Sequence, residues 1–457
     1  MKPKVGFWHQ VGLTFFIVSG GPYGLESAVG SLGPGLAFLL VLLIPLFWVL
    51  PTCLMVSELS AMIPEAGGYY AWVRRALGPQ WAFQEGWWTL CSSVFDVAIY
   101  PVLFVTYLSF FVPTLNDKTT AAFEIRWALG AGFSFFALLL NLRGSRLVGL
   151  HSFLEMILVV IPFCLLVSFA VTHGDWNNLH LSMAHLFDPT FFGSQPLTPA
   201  AIAAGLAAVL WNYAGWDNVS TYADEIDTPA KTIPKTLALS AVLVTLSYVV
   251  PLLAGFKATV IAKDWGETSG WPEIASRLVG PWLGVFIAAV AVISAWALFN
   301  GQLLYLARVP QAMAKDGLLP RLLAYRSEKT GVPIFSIAAA ALVSMLLCGL
   351  SLGKVMVVDM LFYTLGLSLE FVALIVLRVK EPDTARPFRI PLPTWGLISL
   401  AIFPVLLAVA IAIFSVLGEG GSVVQVSLVA GAVIAGFIIY RVIASRTMTS
   451  SQGAPMP

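Results

Sequence analysis

The chain has 457 residues, of which 58% are hydrophobic and 11% are charged, and its mean hydropathy is +0.87. Soluble globular domains do not have this composition, so the sequence predicts an integral membrane protein whose main partner is the lipid bilayer. The net charge of +1 gives no basic surface that would indicate nucleic acid as a partner.

Twelve apolar segments are long enough to cross a bilayer at about 20 residues per crossing. They cover residues 7–32, 35–62, 80–111, 123–142, 148–171, 198–227, 234–254, 281–314, 332–350, 354–377, 397–417 and 422–443. Twelve crossings place both termini on one side, and most of the 25 Lys and Arg residues lie in the loops and ends of that side. The positive-inside rule therefore predicts a multi-pass protein of the cell (cytoplasmic) membrane with both termini in the cytoplasm.

The first segment is interrupted by the sequence Ser19-Gly20-Gly21-Pro22-Tyr23-Gly24. Proline removes a backbone donor and glycine makes left-handed backbone accessible, so no uninterrupted helix is predicted through this stretch. Irregular backbone at membrane depth occurs where it is buried in protein or lines a watery cavity. The interruption predicts either a proline kink in a packing helix or a ligand site in which freed amides and carbonyls face the ligand.

Glu26 follows this interruption by one helical turn. If the helix resumes at Pro22, Glu26 lies near the start of the outer half of the first span. It is predicted either to contact the substrate or to complete the N-terminus of that half-helix, where negative charge is favoured.

The loop of residues 64–79 combines glycine and aromatic residues with Arg74 and Arg75. It is too polar to cross the membrane, and it predicts a short amphipathic helix that acts as a gate at the cytoplasmic mouth. Glu58 and Glu85 flank the loop at the ends of the neighbouring spans, where they are predicted to snorkel or to pair with Arg74 or Arg75.

Asp96 lies near the middle of the third segment, with Ser92 and Tyr100 one turn away on the same helical face. A carboxylate at this depth costs about 2.5 to 3.5 kcal/mol, and such residues usually mark functional sites. Asp96 is therefore predicted to bind substrate or to take part in coupling. The alternative is a proton-sharing hydrogen bond to a neighbouring helix.

Glu155 lies in the fifth segment, and no Lys or Arg occurs between Leu147 and Ala230. The fifth segment thus has no fixed cation that could substitute for a bound sodium ion. Glu155 is predicted either to titrate as a coupling group or to snorkel towards the cytoplasmic surface.

A second interruption, residues 212–218, lies in the sixth segment. Its aromatic and acidic side chains suit cation-π and carboxylate contacts with an amine. They are Trp211, Tyr213, Trp216 and Asp217. Gln302, Tyr363 and Glu370 are further polar candidates in the eighth and tenth segments.

The two interruptions are separated by five spans, and an odd number of spans per repeat inverts the second copy relative to the first. The fold class is therefore predicted to be an all-α integral membrane protein with twelve transmembrane helices, a five-plus-five inverted repeat, and discontinuous helices one and six. Residues 1–172 and 173–380 form the two repeats, and residues 381–457 add two spans and a cytoplasmic tail.

Several stretches of the chain carry a resemblance to a known family: residues 18–26, 83–88, 96–104, 211–217, 225–231 and 386–391. On these residues the chain resembles the amino acid-polyamine-organocation superfamily, closest to the polyamine uptake and light-chain amino acid transporter-like permeases. The resemblance implies alternating access, proton coupling, and substrate contacts at the Gly20 to Gly24 backbone, Glu26, Asp96, Trp216 and Asp217. The chain departs from the plant relatives in having Gln302 about where they carry a Glu.

The predicted function is secondary active transport, with proton-coupled uptake of cationic amines or polyamines. The alternative is a proton-coupled permease or exchanger for neutral or cationic amino acids, because the first interruption has amides that can bind a carboxylate. A membrane aspartyl protease using Asp96 and Asp217 lacks any supporting motif, so no enzyme is predicted. The four cysteines include no close pair, and neither a metal nor a cofactor is predicted. The predicted substrate-binding residues are Ser19, Gly20, Gly21, Tyr23, Gly24, Glu26, Asp96, Tyr100, Trp211, Tyr213, Trp216, Asp217 and Gln302, and the coupling candidates are Asp96 and Glu155.

Overall fold

The computed structural model describes residues 7–65, 67–143, 152–185, 197–226, 228–259, 265, 270–305, 308–327, 332–418 and 422–452. In this part of the chain the regular structure is helical, as predicted. The helices are α1 Phe7–Val18, α2 Leu25–Leu32, α3 Pro34–Ile44, α4 Leu50–Met62, α5 Tyr69–Leu77, α6 Pro79–Leu108, α7 Thr120–Leu142, α8 Ser152–His173, α9 Trp176–Ala184, α10 Pro199–Asn212, α11 Pro229–Ala258, α12 Gly270–Val279, α13 Pro281–Tyr305, α14 Arg308–Lys315, α15 Ile334–Leu347, α16 Leu352–Lys380, α17 Thr394–Leu417 and α18 Ser422–Gln452.

Eight helices of the described chain are long and apolar enough to cross a membrane. One of them is composite, because α3 and α4 continue through a π-helical turn, Pro45–Val49, into one span. A ninth counts if α8 and α9, which are bent by 99° at their junction, form a single span. Many apolar side chains of α17 and α18 are exposed, as on helices that face lipid. The chain is therefore a multi-pass membrane protein.

Both predicted interruptions are confirmed as breaks between helices. α1 ends at Val18 and α2 begins at Leu25, three residues later than the start at Pro22 considered from the sequence. The difference follows from Gly24, whose φ of 90° lies in the left-handed region and ends any helix that would start before it. α10 ends at Asn212, and a 3₁₀-helix, Trp216–Glu225, begins after Gly215, which has a φ of 93°.

The eighth predicted segment, residues 281–314, is two helices. The membrane-crossing helix α13 ends at Tyr305, and α14 is a separate short helix from Arg308 to Lys315. A single span of that length would also have exceeded the usual 17 to 25 residues.

The loop between α4 and α6 contains the predicted short helix, α5, but six of its nine residues are buried. α5 is wedged among other helices, with its two arginines on the exposed side. Arg74 pairs with Asp316 at 2.6 Å, and Arg75 pairs with Glu381 at 2.7 Å. The hydrogen bond from Arg75 holds the pKa of the Glu381 carboxyl below its ordinary value. α5 is thus tied to the segment after α14 and to the end of α16.

The predicted pairing of Glu58 with Arg74 or Arg75 is wrong. Glu58 is fully buried and accepts two hydrogen bonds of 2.5 Å from Arg378. It also accepts the backbone amide of Ile390 at 2.8 Å, and Arg386 lies 3.3 Å away. The pairing of Glu58 with Arg378 could not be predicted from the sequence, because Arg378 belongs to α16 and only the packing of α4 against α16 brings the two residues together.

Removing the charge of Glu58 is expected to destabilise the fold. Glu58→Gln leaves the guanidinium of Arg378 buried without a counter-charge, which costs about 3 to 5 kcal/mol. The matched control is Glu273→Gln, because Glu273 forms a part-exposed pair with Arg277 at 3.6 Å, and its loss costs less than about 1 kcal/mol. Unfolding of both purified variants in mixed detergent measures the difference. Equal stability of the two variants would contradict this assignment.

Helices α6 and α16 form the most extensive helix pair of the described chain. They run antiparallel, because Ser92 of α6 contacts Asp359 near the start of α16, while Glu85 lies opposite Gly366 further along it. Gly366 leaves room for the side chain of Thr89, since a Cβ atom there would lie 3.3 Å from the Thr89 hydroxyl. This pair positions acidic side chains from both helices beside the two breaks.

Candidate functional site

The two breaks face a single cavity. Its walls come from the end of α1, the middle of α6, the end of α10, the start of the 3₁₀-helix, and the facing parts of α13 and α16. Three carboxylates line it, those of Asp96, Asp217 and Asp359. Among the described residues that line the cavity there is no Lys, Arg or His.

Asp96 lies at the junction of three helices. Its carboxylate accepts a hydrogen bond of 2.9 Å from the indole Nε1 of Trp211 at the end of α10. Tyr100, one turn along α6, receives a 3.2 Å hydrogen bond from the Gln302 amide of α13. All four side chains line the cavity, so the structure brings together these four predicted residues from three separate segments.

Asp359 was missed by the sequence analysis. It is buried in α16 and accepts a 2.5 Å hydrogen bond from the hydroxyl of Ser92, which lies one turn from Asp96 on α6. Like Asp96, it lines the cavity. The rule that singled out Asp96, an acid inside an apolar span, applies equally to Asp359 and could have found it.

Asp217 lies at the second break, in the first turn of the 3₁₀-helix. Its carboxylate accepts a 2.5 Å hydrogen bond from the hydroxyl of Tyr363, and the same hydroxyl accepts the backbone amide of Gly215 at 2.9 Å. Tyr363 therefore connects α16 to the irregular backbone and orients Asp217 beside the cavity. The carbonyl of Asn212, freed by the break, accepts the Tyr248 hydroxyl at 2.7 Å.

The polar backbone of the first break is largely satisfied by side chains. The carbonyl of Gly20 accepts the Ser294 hydroxyl at 3.2 Å, and that of Pro22 accepts the indole of Trp271 at 2.8 Å. The amide of Gly21 donates to the Ser19 hydroxyl at 3.3 Å. Protein groups thus take several of the bonds expected for a ligand.

Glu26 does not line the cavity. It is buried at the start of α2, where Oε2 accepts the amide of Gly24 at 2.8 Å and Oε1 accepts the hydroxyl of Tyr107. This geometry matches the alternative role of completing a helix N-terminus. Tyr107 does line the cavity, so Glu26 touches the site through that side chain.

The other predicted residues divide between the cavity and the surrounding core. Gly20 and Tyr23 line the cavity, and the Tyr23 hydroxyl donates to the Ile287 carbonyl at 3.3 Å. Trp216 is fully buried and donates to the carbonyl of Tyr213 at 2.9 Å, away from the lining. The predicted residues outside the lining are Ser19, Gly21, Gly24, Glu26, Tyr213 and Trp216. The side chain of Glu155 lies outside the described residues.

A cavity of this kind suits a positively charged ligand. Carboxylates inside a membrane protein are costly unless they are protonated or paired with a cation. The indole of Trp211 and the phenol rings of Tyr100 and Tyr363 add faces and polar edges that favour ammonium groups. The arrangement can hold an organic cation.

Comparison with known proteins agrees with this geometry. Residues 12–440 match the family described as "Amino acid permease". The chain is 35% identical over 430 residues to "Polyamine transporter PUT1" of Oryza sativa subsp. japonica, covering 93% of this chain and 76% of that protein. It is 33% identical over 437 residues to "Probable polyamine transporter At1g31830" of Arabidopsis thaliana, covering 96% and 83%. These matches confirm the resemblance found in the sequence, and the chain belongs to the amino acid permease family of the amino acid-polyamine-organocation superfamily.

Proposed function

We propose that the protein is a secondary active transporter that takes up cationic amines, polyamines included, by alternating access. The observation that carries the proposal is the cavity between the two broken helices, where three carboxylates face one space and no described cation lines it. An ammonium group bound there replaces the missing counter-charge. The names of the plant relatives, which are called polyamine transporters, support the same substrate class.

In this proposal the substrate contacts are the predicted residues that line the cavity. Asp96 and Asp217 supply negative charge, and Trp211 and Tyr100 supply aromatic faces. Asp359 joins them as a third acid, held by Ser92. The predicted residues outside the cavity lining, among them Glu26 and Trp216, act indirectly. They hold in place the backbone that carries the residues in contact with the substrate.

The proposed architecture has twelve spans arranged as a five-plus-five inverted repeat. Residues 1–172 and 173–380 form the repeats, and residues 381–457 form the additional spans. Support comes from the two breaks, which occur in the first and sixth apolar segments and border the same cavity. A count of long unbroken helices omits both broken spans, the fifth segment, whose helices α8 and α9 are bent at their junction, and the ninth segment, whose helix α15 has 14 residues.

The proposed location is the cell membrane, with both termini in the cytoplasm. The basic loops that define the cytoplasmic side in the sequence also come together in space. Arg74 and Arg75 of α5 reach Asp316 and Glu381, and the ammonium group of Lys380 donates to the carbonyl of Ala76 at 3.1 Å. Positive charge collected at one end of a helical bundle is typical of a cytoplasmic face.

Protons are the proposed coupling ion, with Asp96 and Glu155 as the groups that bind and release them. An acid inside the membrane can exchange a proton and a cationic substrate in turn, because each neutralises the same charge. Groups of three or more potential metal ligands are absent from the described residues. The alternative substrate is an amino acid, whose carboxylate would meet the backbone at Gly20, the part of the first break that lines the cavity.

Binding and uptake experiments test the proposal. Polyamines are expected to raise the melting temperature of the purified protein, because a ligand that binds only the folded state stabilises it. The twenty amino acids, tested in the same screen, are the comparison set. In proteoliposomes an imposed pH gradient is expected to drive amine accumulation in the absence of sodium. Stabilisation by amino acids alone would favour the alternative substrate, and accumulation only with a sodium gradient would overturn proton coupling.

A further inference from the structure

A second pair of acids lies on α6 and α16, beyond the cavity described above. Glu85 precedes Asp96 on α6, and Glu370 follows Asp359 on α16, each by about three helical turns or roughly 16 Å. A separation of this length returns to nearly the same face of a helix. Because the helices are antiparallel, Asp96 and Asp359 lie together at the level of the cavity. Glu85 and Glu370 lie on the same faces of their helices, nearer the α5 end of the bundle.

The Glu85–Glu370 pair is buried and incompletely bonded. The exposed fractions of Glu85 and Glu370 are 0% and 1%. Oε1 of Glu85 accepts the Thr89 hydroxyl at 2.8 Å, but Oε2 of each residue has no hydrogen-bond partner. None of the ion pairs in the described part of the chain includes either residue. A buried carboxylate oxygen without a partner requires an explanation, and such an oxygen can accept a hydrogen bond from the ammonium group of a ligand.

The pair adjoins the cavity. Thr89, the donor to Glu85, lines the cavity, and so does Tyr69 of α5. Thr89 therefore connects the cavity to the Glu85–Glu370 pair.

We infer that the Glu85–Glu370 pair is a second cation site, which binds the distal ammonium group of a long polyamine whose first ammonium group is held at Asp96 and Asp359. The inference rests on the proposed function and specifies its substrate class. Ordinary bond lengths give about 6 Å between the nitrogens of extended putrescine and about 16 Å between the ends of extended spermine. Spermine therefore spans the two levels of acids, and putrescine does not. Rotation of the Thr89 side chain opens Glu85 to the ligand.

Affinity across a length series tests this assignment. Butylamine, putrescine, spermidine and spermine are titrated into the purified full-length protein, in the wild type and in Glu85→Gln and Glu370→Gln. Glutamine keeps the size of the side chain and, at position 85, the acceptor for Thr89. The wild type is expected to bind spermine at least tenfold more tightly than putrescine. Each variant is expected to lower the ratio of spermine to putrescine affinity at least fivefold.

Glu273→Gln is the control, since Glu273 lies far along the chain in an exposed pair with Arg277 and should leave the ratio unchanged. If the wild type binds spermine no more tightly than putrescine, this result alone overturns the second site. Variants that keep the wild-type ratio of spermine to putrescine affinity overturn it as well. In that case the two acids share a proton and serve only the packing of α6 against α16. If none of the amines binds the wild type, the proposed function itself fails, so the two failures are distinguishable.

Discussion

Asp96→Asn is expected to lower the affinity of the protein for cationic amines by roughly tenfold to a hundredfold. Hydrogen bonds to charged groups contribute about 1.5 to 3 kcal/mol each, and every 1.4 kcal/mol is a factor of about ten in affinity. Asparagine keeps the shape of the side chain and an oxygen that can accept the 2.9 Å bond from Trp211. The substitution therefore removes the charge with little change in the cavity wall.

Binding and accumulation measured on the same variant separate the roles of Asp96. Loss of amine binding identifies it as the counter-charge of the substrate. Normal binding and exchange without accumulation against a gradient would make it a coupling group, as expected if the substrate is an amino acid. A variant that binds and accumulates like the wild type would remove Asp96 from the site. The control is Asp117→Asn, which alters an exposed carboxylate in the loop between α6 and α7.

The sequence predicted the parts of the fold that depend on local chemistry. Gly20, Gly21 and Pro22 in succession disfavour an α-helix through the first apolar segment, so this break could be predicted from that segment alone. Asp96 was visible for a similar reason, because its charge is costly wherever its helix packs in the membrane. Both features are properties of a single segment, and the structure has both of them where they were predicted.

Features that depend on the contact of two segments could not be predicted from the sequence as readily. Glu58 pairs with Arg378, a residue far along the chain, and no spacing rule connects them. Trp216 and Tyr213 were grouped with Asp217 because they are neighbours in sequence, yet the irregular backbone turns both side chains into the core. Asp359 could have been recognised as a candidate from its own segment, but its position near Asp96 depends on the antiparallel packing of α6 and α16.

The irregular backbone at the first break is expected to tolerate no side chain at Gly21. Gly21 has a φ of 91°, a conformation that costs a non-glycine residue about 1 to 2 kcal/mol and a β-branched residue more. A Cβ atom there would also lie 2.7 Å from the Cγ1 atom of Val159 in α8, so one of the two segments must shift. Gly20 and Tyr23 on either side line the cavity, and a shift displaces both.

Gly21→Val is therefore expected to abolish uptake while the protein still inserts into the membrane, because valine is more apolar than glycine. Uptake by proteoliposomes is compared at equal amounts of protein that elutes as a single species. Gly132→Val is the control, since a Cβ atom at Gly132 meets no atom within 4 Å and its helix, α7, is regular. Loss of uptake in Gly21→Val but not in Gly132→Val means that the conformation of the break, and not the added apolar volume, is needed for transport. Normal uptake by well-inserted Gly21→Val would show that the first break is a packing kink, and the site would then have to be sought among the acids of α6 and α16 alone.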